Sequence, residues 1–406
     1  MKRRSGINMS DVKISNRAMI LNQVKFNPKS RKDIAEKLNL TPAAITMLVN
    51  ELMEEGCIRE NGMVEAASGR AGRKKVYIEL NPSYRYVAGV NIEGKTITIG
   101  IGNLRYEILE AVTESINGYS PEEVLESCAV AIESLIKKLK ISFKNVLGVG
   151  VGIVGKVDTT RGISIHAYGI WDQEVKISEI LSARLAMPVV VENNVRALAL
   201  AEMELMQYRK VSNMVFLKLG PGIGSAIILE KEIYKGANSD AGEIGHMITN
   251  LDGKKCQCGL VGCLETVASV QCILEAIKKD YTRDNYPILR TLLNGDMTRL
   301  KEKDLINAYL QGDPDVVIKI NKLIQYLTVG IINSIKFYDP HKLVLYSEMF
   351  NEPVLYQRLM REIGAHEQEG ALEVRIESSH LESPRCVGGV VMGAQKLFFS
   401  KGAIID

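Results

Sequence analysis

Apolar residues near the N-terminus repeat every three or four positions in three short stretches. The first covers residues 15–26 and predicts a helix that ends before Asn27-Pro28. A capping box, Ser30 to Asp33, begins a second helix, and Thr41-Pro42 begins a third that Gly56 ends. Two short helices joined by a tight turn predict a helix-turn-helix.

Two stretches of alternating apolar and polar residues follow, at 57–60 and 75–80, and predict a β-hairpin. Its tip contains Gly-Arg-Ala-Gly-Arg, with the arginines at Arg70 and Arg73. A flexible cationic tip suits a narrow minor groove or phosphates, although an Arg- and Gly-containing loop is often only a solvated turn. Its position directly after the helix-turn-helix favours a DNA-binding wing.

The third helix would lie in the major groove with its N-terminal side chains at the bases. Its Ala and Thr methyl groups suit thymine methyls, and Thr46 can hydrogen-bond a base edge. A small helical bundle without a ligand is the alternative. The predicted DNA contacts are Lys32, Thr41, Ala43, Ala44, Thr46, Asn50, Arg70 and Arg73.

Beyond Pro82 the pattern changes to strands that alternate with helices. Alternation of this kind, with a second set of strands near residue 213, predicts an α/β protein of two lobes with a cleft. The main predicted elements are strands at 86–92, 96–101, 106–112, 146–154, 189–192, 213–219, 225–229 and 342–346, and helices at 122–139, 177–185, 195–206 and 386–399.

Charge is spread unevenly over the 406 residues. The first 80 residues hold 15 Lys and Arg against 9 Asp and Glu, and the remainder holds 36 against 39. A basic N-terminus on a mildly acidic remainder favours an anionic partner for the N-terminus alone, or else a solvated charged surface. No run of eighteen apolar residues and no apolar leader region occur, so we expect a cytoplasmic protein without membrane insertion.

Three of the seven cysteines cluster as Cys256, Cys258 and Cys263, ten residues after His246. An odd, clustered set in a chain without a signal peptide favours a metal over disulfides. Three thiolates and one imidazole, with no position left for water, predict a closed tetrahedral structural zinc site. A redox pair or coincidence is the alternative from spacing alone.

Five Gly-rich or acidic motifs after Pro82 resemble the ROK family, which joins sugar kinases and sugar-responsive repressors. The hairpin and the helices before it are similar to the repressor branch, so the resemblance covers essentially the whole chain. The motifs are Gly150-Val-Gly-Ile-Val-Gly-Lys-Val-Asp158, Val191-Glu-Asn-Asn-Val-Arg-Ala197, Gly220-Pro-Gly-Ile-Gly224, Ala241-Gly-Glu-Ile-Gly-His246 and Cys256-Gln-Cys-Gly-Leu-Val-Gly-Cys-Leu-Glu265.

The resemblance implies an α/β fold class, with a winged helix-turn-helix followed by a two-lobed actin-like, hexokinase-like domain. The expected domains are the head at 1–82, a first lobe at 83–200 plus 385–406, and a second lobe with the zinc loop at 201–384.

The family's sugar contacts fall at positions that the spacing also makes plausible. Glu243 and His246 lie three residues apart, so that one turn presents both, and Glu265 follows Cys263 by two residues. Alone, either glutamate would be an ordinary surface carboxylate. The resemblance implies sugar contacts from Asn193, Asn194, Glu243, His246 and Glu265, and zinc held by His246, Cys256, Cys258 and Cys263.

The chain departs from the kinase branch where phosphoryl transfer needs a base and a phosphate loop. The family's catalytic aspartate falls at Asn194, and a neutral amide cannot accept the proton. Its phosphate loop aligns with Asn91–Lys95, which places Glu93 near the phosphates. Two further nucleotide motifs are changed to Gly220-Pro-Gly222 and Tyr346-Ser-Glu348. We therefore expect no enzyme activity.

The combined expectation is a sugar-responsive repressor of carbohydrate-use genes that binds double-stranded operator DNA as a homodimer or homotetramer. A sugar or sugar derivative would change DNA affinity through a shared conformational equilibrium. One alternative is an active ROK sugar kinase with an accessory DNA-binding domain. Another is a repressor that a protein partner controls.

Overall fold

The computed structural model describes residues 8–64, 75–208, 211–282, 284–366, 374–381 and 384–405. The chain divides into two compact units, Met1–Ala201 with Ser383–Asp406, and Glu202–Glu382. The first unit includes residues 1–82, and their standing as a separate domain, like the other predicted boundaries, stays a prediction. Among the described residues, no helix is long and apolar enough to cross a membrane.

The head is a three-helix bundle with a three-stranded antiparallel sheet in the order β1-β3-β2. Capping boxes at Asn8 and Ser30 begin its first two helices, and Asn39 makes the left-handed turn before the third. The first helix begins six residues earlier than the periodicity predicted, because Asn8 supplies the cap. The elements are α1 (Met9–Val24), β1 (Lys29–Ser30), α2 (Arg31–Leu38), α3 (Pro42–Glu54), β2 (Ile58–Val64) and β3 (Lys75–Leu80).

The rest of the first unit is built on a five-stranded sheet in the order β10-β7-β4-β5-β6, parallel between β10, β7 and β4 and antiparallel beyond. The strand predicted at 106–112 starts only at Ile108, because Tyr106 has a left-handed backbone, with φ of 67°. The elements are β4 (Tyr86–Glu93), β5 (Thr96–Asn103), β6 (Ile108–Ser115), α4 (Pro121–Lys138), β7 (Val146–Ile153), β8 (Lys156–Asp158), β9 (Ile163–His166), α5 (Ile177–Leu185), β10 (Val189–Asn193) and α6 (Asn194–Leu205).

The second unit repeats this topology with the order β13-β12-β11-β14-β15, again with three antiparallel strands followed by two parallel ones. Its helices share one apolar core with β11 and β14. The elements are β11 (Met214–Leu219), β12 (Ile223–Leu229), β13 (Glu232–Ile233), α7 (Glu265–Ala268), α8 (Val270–Asp280), α9 (Pro287–Leu292), α10 (Glu302–Leu310), α11 (Pro314–Tyr338), β14 (Lys342–Tyr346), α12 (Glu348–Asn351), α13 (Pro353–Ala365) and β15 (Arg375–Ser378).

The chain returns to the first unit in α14 (Val387–Ala394), which continues as a π-helical turn, Gln395–Phe399. The helix lies so close to the sheet that backbone meets backbone. A side chain on Gly150 of β7 would overlap the carbonyl oxygen of Gly389. Residues on the opposite face of β4, β5 and β7 pack with α4 and α5 in the main core of this unit. The α/β fold class with a winged helix-turn-helix is confirmed.

We expect Gly389→Ala to lower the free energy of unfolding by about 1–3 kcal/mol, because the methyl group would overlap the Gly150 carbonyl in a tightly packed layer. Urea unfolding followed by circular dichroism measures the change. Gly364→Ala in α13 is the matched control, since nothing lies within 4 Å of the added methyl group there. Alanine should raise helix stability at that position. Equal losses in both variants would contradict the close packing of α14.

Candidate functional site

Four potential metal ligands of the second unit come together. The Sγ atoms of Cys258 and Cys263 lie 3.6 Å apart, and Cys256 Sγ lies 3.5 Å from His246 Nδ1. All four ligand atoms lie within 4.8 Å of one another. Metal–sulfur bonds near 2.3 Å in a tetrahedron give edges of about 3.8 Å, so this donor set fits one metal ion.

Backbone contacts shape the loop that carries these ligands. Isolated β-bridges join Ile248 to Cys263 and Lys255 to Val261. Gly262 has a φ of +79°, and a side chain there would overlap the carbonyl oxygen of Asn250. The left-handed backbone at this glycine therefore lets the chain turn tightly against Asn250. Burial raises the pKa of the Cys256 and Cys263 thiols, so a bound cation would have to displace their protons.

The two ring nitrogens of His246 face different groups. Nδ1 faces Cys256, while Nε2 lies 4.0 Å from Glu243 Oε2, beyond hydrogen-bond distance. A short 3₁₀ turn, Ile244–His246, holds the pair, and Ile244 N donates to Ser225 Oγ. One nitrogen is thus placed for a metal, and the other is directed toward a half-exposed carboxylate that a sugar hydroxyl could approach.

Glu265 begins α7, and its carboxylate is fixed by a distant turn. Oε2 accepts a hydrogen bond of 2.9 Å from Ile223 N. Gly222 leaves room for it, because a Cβ there would lie 2.5 Å from Oε2. The turn at Gly220-Pro221-Gly222 therefore leaves space for a carboxylate that the next residue, Ile223, holds. A kinase would use the corresponding motif for phosphates.

Asn193 and Asn194 belong to the first unit and differ in what their amides do. Asn193 caps α6: its Oδ1 accepts from Val195 N and Arg196 N, and its Nδ2 donates to Gly155 O. Asn194 is 1% exposed, and neither its Oδ1 nor its Nδ2 has a hydrogen-bond partner within the described parts of the chain. A buried amide left unpaired costs about 1–3 kcal/mol, so this side chain is placed for something other than stability.

The position of the family's phosphate loop contains an ion pair. Glu93 ends β4 and is nearly buried, and Arg385 Nη1 lies 3.1 Å from its Oε2. The carboxylate would repel incoming phosphates, and it is already paired with the guanidinium of Arg385, just before α14. A carboxylate that is already paired with a guanidinium therefore lies at the position of the family's phosphate loop.

The predicted DNA contacts at the start of α3 are open to solvent. Thr41, Ala43, Thr46 and Asn50 are exposed and Ala44 is partly exposed. Thr46 Oγ1 donates to the Pro42 carbonyl at 2.7 Å, which leaves the hydroxyl free to accept from a base. Lys32 extends from α2, and its Nζ lies 3.7 Å from Glu36.

Sequence reasoning missed Arg31 on the same face. Its Nη2 donates to Asn50 Oδ1 at 3.3 Å, so the two side chains present one polar surface. No sequence signal marked it, because the position after a helix cap accepts almost any residue. Arg70 and Arg73 lie outside the described residues.

The chain is similar over most of its length to regulators and kinases of one family. A family model described as "ROK family" matches residues 87–397. The xylose repressor of Caldicellulosiruptor bescii is 26% identical over 353 residues, which cover 86% of this chain and 86% of that protein.

Two crystal structures show the same fold. A ROK family transcriptional regulator, a homologue of the E. coli MLC protein, is 24% identical, covers 97% of this chain and 98% of its own, and has a TM-score of 0.79. A ROK family glucokinase from Streptomyces griseus, in complex with glucose and AMPPNP, is 24% identical, covers 77% of this chain and 98% of its own, and has a TM-score of 0.67.

We expect Asn194→Ala to leave the free energy of unfolding within about 1 kcal/mol of wild type or to raise it, because no described hydrogen bond is lost. Asn193→Ala is the matched control and should lower it by about 0.5–2 kcal/mol, because α6 loses its cap. Urea unfolding measures both. A larger loss at Asn194 than at Asn193 would show that the Asn194 amide is structural.

Proposed function

The chain belongs to the ROK family, and from that premise we propose that it is a sugar-responsive, DNA-binding transcriptional regulator, a repressor of carbohydrate-use genes. One observation carries the proposal. A winged helix-turn-helix with an open recognition face precedes a ROK domain in which Asn194 stands at the catalytic carboxylate position, its buried amide without a hydrogen-bond partner among the described residues. The head supports DNA binding, and the amide supports recognition of a ligand without its chemical conversion.

We assign α3 to the major groove of an operator. The exposed methyl groups of Thr41 and Ala43 suit thymine, with Ala44 at the edge of the same face. Thr46 accepts from a base. Lys32 and Asn50 are assigned to phosphates, and Arg70 and Arg73 to the minor groove or the backbone. Two copies of the chain, as a homodimer or within a homotetramer, would read a palindromic site.

The effector is a sugar or sugar derivative. In the second unit, Glu243 and His246 present polar atoms on one turn, and Glu265 is held rigidly by Ile223 N. In the first unit, Asn194 brings both a donor and an acceptor that have no described partner, and Asn193 neighbours it. Neutral amides and carboxylates of this kind suit hydroxyl groups.

We propose that the protein is not a kinase. The position of the base is an amide, which cannot take a proton from a sugar hydroxyl, and loss of a general base lowers a rate by roughly 100- to 10,000-fold. Glu93 paired with Arg385 occupies the region that would receive phosphates. These two changes lie in separate parts of the phosphoryl-transfer machinery and act in the same direction.

The metal at His246, Cys256, Cys258 and Cys263 is proposed to be a structural zinc ion. Three thiolates with one imidazole are a soft donor set that zinc accepts in tetrahedral geometry. Four protein ligands leave no open position for a substrate. The ion would hold the loop that carries Glu243 and Glu265, since both lie within three residues of a ligand.

The regulatory function is tested with duplex DNA selected from a random pool by the full-length chain. We expect binding that weakens steeply between about 50 and about 200 mM salt, and a change in affinity of about fivefold or more with D-xylose or N-acetylglucosamine. Asn194→Ala should bind the same duplex and lose the sugar response. Fluorescence anisotropy with labelled duplex measures each affinity.

Two results would oppose this function. One is the absence of any selected sequence at all salt concentrations. The other is ATP-dependent phosphorylation of either sugar by wild type, detected by ADP release, with loss of turnover in Asn194→Ala.

The zinc proposal predicts about one zinc ion for each purified chain. Cys258→Ser should lose the ion and unfold at a lower temperature, because the metal–thiolate bonds hold the loop. Cys272→Ser is the control: this cysteine lies outside the cluster, and its Sγ donates to Thr266 O, a bond that serine can replace. Plasma mass spectrometry gives the metal content. Equal zinc content in the two variants would contradict the site.

A further inference from the structure

Two cations, Arg17 in α1 and Lys25 directly after it, are buried where the helix meets the C-terminal segment, residues 387–403. Arg17 and Lys25 are each 2% exposed. Buried cations are uncommon unless a partner holds them, so each marks a specific contact. Both contacts lie within the first unit, and neither is part of the DNA or sugar sites proposed above.

Lys25 is enclosed by aromatic rings. Its Nζ lies 4.1 Å from the ring centre of Phe399 and 5.1 Å from that of Tyr106, and it donates to Tyr106 Oη at 2.9 Å. Gln395 Nε2 donates to the same hydroxyl. Phe399 and Gln395 belong to the π-helical turn after α14. The end of α1 is therefore held by the C-terminal segment through a cation–π contact and a shared hydroxyl.

Arg17 joins the C-terminal segment to the recognition helix. Its Nε donates to Gly402 O at 2.7 Å, and its Nη1 donates to Glu55 Oε1 at 2.8 Å. Glu55 is the C-cap of α3. A side chain at Gly402 would lie 2.7 Å from Ile14 O, so the segment lies directly on α1. One guanidinium thus contacts both the segment and the helix assigned to DNA.

The other end of the segment lies on the helix that begins with Asn194. A Cβ on Gly388 would lie 2.9 Å from the carbonyl carbon of Ala197 and 3.0 Å from Leu198 N, both in α6. Arg385, just before α14, forms the ion pair with Glu93. Glycine contacts without intervening side chains leave little room for α6 to move without α14.

We propose that the C-terminal segment couples sugar binding to the position of the recognition helix. Lys25 and Arg17 are the positioning residues that transmit a movement of the segment to the head. The proposal rests on the proposed function. A sugar that hydrogen-bonds Asn194 shifts the start of α6, α14 moves with α6, and the buried cations carry the shift to α1 and α3. Packed contacts of this kind switch between discrete arrangements, so that a small displacement is transmitted.

Lys25→Met tests the coupling, because methionine keeps the apolar stem and removes the charge that the rings hold. Lys13→Met in α1 is the matched control, since Lys13 is exposed and pairs with Glu51 on the surface. Phe399→Leu removes the nearest ring from the other side of the contact. Affinity for the selected duplex is measured with and without D-xylose or N-acetylglucosamine, and hydrogen exchange reports on α1, β4 and β7.

We expect Lys25→Met and Phe399→Leu to bind DNA while their response to sugar falls below about twofold, against about fivefold or more in wild type and Lys13→Met. Amides of α1 should exchange faster in both variants, with β4 and β7 unchanged, which shows that the sheet stays folded. This second readout separates lost coupling from lost folding.

A full sugar response in both Lys25→Met and Phe399→Leu would overturn the coupling and leave the regulatory function intact. A wild-type chain whose DNA affinity no sugar changes would instead overturn the proposed function, and the coupling with it. A sugar response lost equally in Lys13→Met would also overturn the role of the aromatic enclosure.

Discussion

Backbone contact between α14 and the first sheet is the constraint on which the rest of the first unit depends. Gly150 and Gly389 meet without side chains, and Gly388 meets α6 in the same way. Because of this contact, the last part of the chain packs against α1 of the head and lies beside α6. Because close-packed layers transmit displacement instead of absorbing it, the same contact fixes where Asn194, α1 and α3 lie within one unit.

Two polar features of the first unit, the Asn194 amide and the Glu93–Arg385 ion pair, both suit a proposed site that binds a ligand without phosphoryl transfer. The buried amide of Asn194 has no partner in the described part of the chain, which a protein selected for stability alone would not keep. Glu93 and Arg385 satisfy each other in the region where a kinase would hold phosphates. Under the proposed function the Asn194 amide would face the ligand, while Glu93 and Arg385 pair where a kinase would bind the nucleotide.

In the second unit, the loop from Met247 to Leu264 leaves several of its apolar side chains exposed. Leu251 is 86% exposed, and Leu260 and Val261 are about half exposed, so the loop has little core of its own. Four converging ligand atoms could hold one metal ion, which under the zinc proposal would order the loop. Glu265 and Glu243 flank this cluster, and the bond from Ile223 N fixes the first of them independently of any metal.

The sequence by itself determined the helices, strands and ligand cluster that depend on interactions between nearby residues. Caps at Ser30 and Thr41 predicted α2 and α3, alternation predicted β2 and β3, and the spacing of the cysteines predicted the ligand cluster. These signals depend on neighbours a few residues away.

Only the tertiary structure decided which polar groups are buried and what they contact. Lys25 and Tyr106 are 81 residues apart, Arg17 and Gly402 are 385 apart, and Glu265 and Ile223 are 42 apart. Lys25 looks like any surface lysine in the sequence. Asn193 and Asn194 also look alike, although one caps a helix and the amide of the other bonds to none of the described residues. Burial and hydrogen bonding across such separations arise from packing, which no short stretch of sequence encodes.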